Sequence, residues 1–343
     1  MQEMSKKPGV LLFFLACLAA FPVTVNGDEQ LPNFSVGGLL FGDFYHVVSH
    51  HTEEGEGATG AVIRRGYLTF DADFTGNMFG RMRFELNQAG EFETYTFDTK
   101  FKDLYLGWNL GRQKLLLGLS PTPTFNLIES IWGLRYLART PMDLQGVASR
   151  DTGVAVSGPI NASGSWSYQA MLATGIEFGA ESGDGRKLMG ALNWKPAPGW
   201  DVQLYTDYEK LSGPTDRTTI QAFVSYQAEN FRWGAQYSHQ DRETDPLLEL
   251  ASAFAIGRLG SKTQWIGRID RIMEPSPKGN NISYLPFDPS ARATFFIGGI
   301  EYQATPHLSI TPNIVRTHYD KNDQGVRPET DLHLRLTLFL NFE

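Results

Sequence analysis

The chain has 343 residues, enough for one large domain or two ordinary ones, with 41% hydrophobic residues, 13% aromatic residues, 35 glycines and a formal net charge of −8. An acidic chain without basic runs is a poor nucleic-acid binder, and it shows no Lys/Arg-faced helix of the peripheral membrane type. No stretch beyond the N-terminus approaches the ~18–20 apolar residues of a membrane helix, which leaves open a β-barrel, whose strands are only half apolar.

Residues 1–27 read as a secretory signal peptide. Lys6 and Lys7 form a basic start, Val10 to Phe21 an apolar run too short for an anchor, and Val25-Asn26-Gly27 a small-residue cleavage site before Asp28. A lipoprotein reading of Phe14-Leu15-Ala16-Cys17 is disfavoured because the apolar run continues past the cysteine. Cleavage removes Glu3, Lys6 and Lys7 and takes the net charge from −8 to −9. It also removes Cys17, the one cysteine, so the mature chain, residues 28–343, relies on backbone pairing and packing rather than disulfides.

From there on, alternation at period two dominates. The last segment shows it most plainly: Leu332, Leu334, Leu336, Leu338, Leu340 and Phe342 alternate with His333, Arg335, Thr337, Phe339 and Asn341. Comparable segments fall at 34–48, 61–74, 78–89, 98–110, 114–120, 149–158, 164–175, 186–195, 200–210, 217–227, 231–241, 249–259, 263–273, 291–303, 307–318 and 330–342, about sixteen in all. Most are near the ~9–11 residues of a tilted membrane strand. Their connections alternate between short turns, such as 75–77 and 197–199, and longer pieces around 49–60, 90–97, 121–148, 176–185, 211–216, 242–248, 274–290 and 319–329. A soluble sandwich has no reason to alternate its loops; an outer-membrane β-barrel with an even strand count does. Phe74, Trp108, Trp166, Trp194, Trp200, Phe231, Trp233, Tyr302 and Phe342 lie near strand ends, where interfacial girdles or hairpin packing would place them.

The third long connection, 121–148, carries a helical stripe at Phe125, Ile128 and Trp132 between Pro121-Thr-Pro123 and Pro141, which is expected to stop the helical run. Its apolar content is costly above a membrane, so it is expected to fold into the barrel and leave Glu129, Arg135 and Arg139 facing water; packing on a neighbouring subunit or over the mouth is the alternative. Strand parity, with Leu68, Phe70, Phe74, Met82, Phe84 and Leu86 outward, turns Tyr67, Thr69, Asp71, Asp73, Arg81, Arg83 and Glu85 inward. Similar counting places Asp103, Tyr105, Gln203, Tyr205, Asp207, Gln236, Arg268, Asp270, Glu301, Asn313 and Arg335 inside. The channel-lining candidates are Arg81, Arg83, Glu85, Asp103, Tyr105, Glu129, Arg135, Arg139, Arg268, Asp270 and Arg335; cross-strand ion pairing alone would also explain many of them.

Catalytic signals are sparse. There is no Gly-x-Ser-x-Gly elbow, no phosphate loop, and no sequence context that marks a cofactor. His46, His50 and His51, beside Glu53 and Glu54, offer metal-ligand types, although composition favours a solvated charged loop. Asn33-Phe-Ser, Asn161-Ala-Ser and Asn281-Ile-Ser match glycosylation triplets that carry little weight in a bacterial-looking chain.

Arg64-Arg65-Gly-Tyr-Leu, Lys102-Asp-Leu-Tyr-Leu-Gly-Trp, Leu117-Gly-Leu-Ser-Pro-Thr-Pro, Arg150-Asp-Thr-Gly-Val-Ala-Val-Ser-Gly, Gly299-Ile-Glu-Tyr and Pro312-Asn313 follow one another along most of the mature chain. In that order they resemble the phosphate-selective porins O and P and their broader relatives. The resemblance implies a homotrimeric, sixteen-stranded porin with the third loop folded into the channel. The chain departs from the phosphate-selective members in its acidic balance and scattered arginines, and in ending with Glu343 after Phe342. The expectation is an outer-membrane porin, in contact with lipid, passing small hydrophilic solutes and ions with weak charge selectivity. A barrel-type hydrolase and a plugged structural or adhesive barrel are the rivals.

Overall fold

The alternating segments form sixteen antiparallel strands in the computed structural model, which describes residues 32–74, 76–88, 97–175, 186–210, 216–243, 246–276, 278–279, 282 and 287–342. The expected signal peptide, the expected loop residues 90–96, 176–185 and 211–215, and Glu343 lie outside the described residues. The strands are β1 (Asn33–Ser49), β2 (Thr59–Asp73), β3 (Met78–Gln88), β4 (Phe97–Leu110), β5 (Gln113–Pro121), β6 (Arg150–Pro159), β7 (Trp166–Ala173), β8 (Arg186–Trp194), β9 (Trp200–Lys210), β10 (Arg217–Gln227), β11 (Phe231–Arg242), β12 (Leu248–Arg258), β13 (Thr263–Ile272), β14 (Ala293–Thr305), β15 (Leu308–Tyr319) and β16 (Asp331–Asn341).

Each strand pairs with its sequence neighbours, and β1 also pairs with β16, so the sheet closes into a barrel with no free edge. Closure satisfies every ladder inside the sheet, the condition for strands to cross hydrocarbon. The side chains sort as the alternation requires. Leu104, Leu204, Ile220, Ile269, Ile300, Ile314, Leu334 and Leu336 stand exposed on the outside, while Gln203, Thr219, Gln221, Ser238, Asp270 and Thr337 are buried on the inside. Polar-in, apolar-out is the inverse of a soluble core, and it is stable where lipid covers the belt. The aromatic girdle residues all sit on the short-turn side, where the Trp166 and Trp194 rings stack at 5.4 Å and Trp200 meets Trp233 edge-on at 5.8 Å. Phe342 closes the same rim, its amide bonded to the Gly38 carbonyl at 2.9 Å.

Four register shifts break the strict parity among the described strands, and two of them re-aim side chains into the lumen. Phe41 opposes Arg65 and Gly42 opposes Ile63, so the β1–β2 register steps past Arg64. Arg83 opposes Asp103 and Phe84 opposes Phe101, so the β3–β4 register steps past Lys102 in the same way. A bulge re-aims the extra side chain. Arg64 and Arg65 therefore both point inward, as do Lys102 and Asp103, and all four are buried.

The lumen is partly filled. The connection after β5 folds inward and forms α1 (Asn126–Trp132) and α2 (Pro141–Leu144). The predicted stripe is real: Phe125, Ile128 and Trp132 are at most 2% exposed and pack with Phe223, Phe254, Ile266, Phe295 and Ile297 of the barrel wall. Gly133 ends α1 at φ 67°, a left-handed conformation that only glycine adopts without strain. Pro141, expected to stop the helical run, instead opens α2, because proline's missing N–H is harmless at a helix start. The connection between β13 and β14, expected as an outer loop, also turns inward and buries Ile282, Phe287 and Ala291 in the same core. The two inward loops meet where Ser276 Oγ donates to Gln145 Oε1 at 2.5 Å.

Candidate functional site

The inward loop is held to the wall by buried donors. Arg64, fully buried, forms an ion pair with Asp43 (2.7 Å) and donates to the carbonyls of Leu137 (3.1 Å) and Tyr136. Arg268 Nη1 donates to the Arg139 carbonyl at 2.6 Å while the same guanidinium pairs with Asp270 at 2.5 Å and lies over the Trp132 ring at 5.2 Å. Gln221 Nε2 donates to Thr124 O at 2.9 Å, Lys102 Nζ reaches Ser149 Oγ at 3.1 Å, and the Tyr136 hydroxyl donates to Glu301, which also accepts from Gln264 at 2.8 Å. These donors satisfy carbonyls that an irregular segment inside a barrel would otherwise leave unpaired.

So anchored, the loop brings Asp143, with Arg135 and Arg139, within electrostatic reach of Arg65 on β2 and Lys102 on β4. On the loop, Arg135 pairs with both Glu129 and Asp143, and Arg139 lies 3.8 Å from Asp143. Burial alone would raise the Asp143 pKa, but Arg135, Arg139, Lys102 and Arg65 together hold it well below the usual carboxylate range. On the wall, Glu85 is fully buried and pairs with Arg65 (2.7 Å), Lys100 (3.6 Å) and Lys102 (3.6 Å). Asp103, equally buried, holds Arg150 (2.5 Å) and Arg83 (3.7 Å). Arg81 forms a bidentate pair with Asp71 at 2.7 and 2.9 Å.

The two signs differ in exposure. The Lys100, Arg81 and Arg83 side chains are 40%, 32% and 18% exposed, whereas Glu85 and Asp103 are 0% and 1%. In the ion-pair cluster joining the loop and β2–β6, the described residues include eight cations (Arg65, Arg81, Arg83, Lys100, Lys102, Arg135, Arg139, Arg150) and five carboxylates (Asp71, Glu85, Asp103, Glu129, Asp143). Glu85 and Asp103 lie behind cations, whereas Asp71 (39% exposed) and Glu129 (22%) reach water beside Arg81 and Arg135, so the water-facing surface carries both signs with cations in the majority.

No protein-family model matches the chain, and no curated protein matches it. Solved structures do. An anion-selective porin from Comamonas acidovorans superposes with a TM-score of 0.65 over 91% of this chain and 100% of its own, at 13% identity. OmpF of Salmonella typhi, in a complex with daunomycin, gives 0.63 over 91% and 98%, at 10% identity. The trimer form of OmpT, an outer membrane protein of Vibrio cholerae, gives 0.60 over 91% and 100%, at 10% identity. The barrel has the porin fold. These likenesses support the porin part of the resemblance seen in the sequence, not its phosphate-selective branch.

Within this porin fold the sequence-predicted residues separate into two groups. Arg81, Arg83, Tyr105, Glu129, Arg135 and Arg139 reach solvent inside the barrel. Glu85, Asp103, Arg268, Asp270 and Arg335 point inward but are buried, the first two behind cations, Arg268 and Asp270 beneath the loop, and Arg335 beside His333 (3.1 Å) and Asp43 (3.8 Å). Parity missed Arg64 and Lys102. Arg64-Arg65 and Lys102-Asp103 are adjacent polar pairs inside alternating strands, which is the sequence mark of a bulge.

Proposed function

We propose that this protein is an outer-membrane porin, exported by way of residues 1–27, that admits small hydrophilic solutes by passive diffusion and favours anions. The observation that carries this reading is the porin-type barrel whose lumen is narrowed by an inward loop, beside which Lys100, Arg81 and Arg83 are the most exposed cations and Glu85 and Asp103 are covered. In a low-dielectric throat a fixed positive surface lowers the barrier for anions and raises it for cations. In this reading transport proceeds by diffusion, with no bond made or broken. A homotrimer fits the fold and the trimer form known for one structural neighbour.

A liposome-swelling assay tests the diffusion reading. Proteoliposomes are expected to swell in isotonic small sugars and to swell more slowly as sugar size increases. Liposomes that do not swell in any sugar, or release of lipid or glycan hydrolysis products by the pure protein, would contradict it.

A further inference from the structure

His50 and His51 were expected in a solvated loop, but they fold down into the barrel at its long-loop rim. Gly55 lies directly on the His50 ring, so close that a Cβ there would stand 2.5 Å from it; only glycine lets the 50–58 connection cover this imidazole. The two rings stack at 4.4 Å, and the His333 ring of β16 lies 6.0 Å from His50. Asp331, at the start of β16, accepts from the His51 amide (2.7 Å) and faces its Nδ1 at 2.9 Å. The Tyr319 hydroxyl donates to the same carboxylate while accepting the Asp288 amide at 3.1 Å. One ligand atom from each of His50, His51 and Asp331 lies within 4.8 Å of the other two.

We propose that His50, His51 and Asp331 form a binding site for a transition-metal dication of the Zn2+/Cu2+ class. Two imidazoles and a carboxylate suit these ions and not Ca2+ or Mg2+, which take oxygen sets. The outer contacts of the set are in place: Thr52 Oγ1 lies 2.8 Å from His50 Nδ1, and Tyr319 orients Asp331. Metal–nitrogen bonds of about 2.0–2.1 Å draw the three ligand atoms together by roughly an ångström, cross-linking β1 to β16. Residues 50 and 331 are far apart in sequence, so an ion here staples the barrel where its ends close. This site is independent of the channel reading.

The test is calorimetric titration of ZnCl2 into the detergent-folded full chain prepared without a histidine tag. One Zn2+ per chain is expected, with at least tenfold weaker binding in the His50→Gln/His51→Gln double variant and unchanged binding in His307→Gln, whose exposed ring lies at the short-turn end. Equal affinity in the double variant, or no binding by the wild type, overturns the proposal. Should the double variant fail to fold, Cu2+ electron paramagnetic resonance on the wild type decides: hyperfine coupling to two imidazole nitrogens is expected, and its absence refutes the site.

Discussion

Arg64 sits where the β1–β2 register steps past it, and from there it joins Asp43 of the wall to two carbonyls of the inward loop. Arg64→Ala leaves buried Asp43 with Arg335 at 3.8 Å and the Thr337 hydroxyl at 2.6 Å, and removing one partner of a buried pair costs up to about 3–5 kcal/mol. Thermal unfolding of the variant is expected at lower temperature with noisier single-channel current, whereas an unchanged melting point would show the pair to be dispensable. Asp143 gives a second test. Its folded pKa lies below the ordinary 3.8, so its stabilising effect is complete above that value and is lost as pH falls through the depressed one. The fluorescence of buried Trp132 is therefore expected to stay constant from pH 7 to 5 and to change only in strong acid. Asp143→Asn is expected to loosen the loop at neutral pH; a wild-type transition near pH 5 would contradict this assignment. At this scale parity alone placed the ordinary inward residues, including Arg81, Glu85 and Asp270, because one buried face pins strand register. It could not separate side chains that meet water from those covered by a loop, since that depends on contacts such as Arg268 with Arg139, 129 residues apart.

At the scale of elements, the sequence-predicted strands agree with the observed ones to within two residues at each end, because each strand repeats one period and each turn interrupts it. The 121–148 loop was legible as an inward fold from its Phe125–Ile128–Trp132 stripe. The inward turn of the β13–β14 connection was not, since its apolar residues Ile282 and Phe287 are too widely spaced to form a periodic stripe. Both loops cover wall residues, among them Phe223, Phe254 and Phe295, that are apolar although they face the lumen. The wall under the loops is dry, which is why polar-in alternation weakens there. Replacing residues 124–146 by a short Gly/Ser turn is expected to raise conductance severalfold and to lower thermal stability as that apolar wall meets water. Unchanged conductance would mean that the loop does not set the narrowest point.

For the whole molecule, the net charge of −8 and the cation-rich inner surface beside β3 and β4 pull in opposite directions. Selectivity follows the charges that touch the permeating ion, and the balance across the chain misleads because Glu85 and Asp103 are screened behind cations. The proposed anion preference departs from the weak selectivity expected from net charge, and the reversal potential decides between the two. Arg83→Glu/Lys100→Glu is expected to shift the reversal potential in a KCl gradient toward the cation limit; no shift would place the selective region elsewhere. In the proposed reading a continuous aqueous path runs past the inward loops. Single-channel recording of the reconstituted protein in a planar bilayer tests it most directly. Discrete, ohmic conductance steps at low voltage are predicted, and a folded, inserted barrel that carries no ion current would contradict the account.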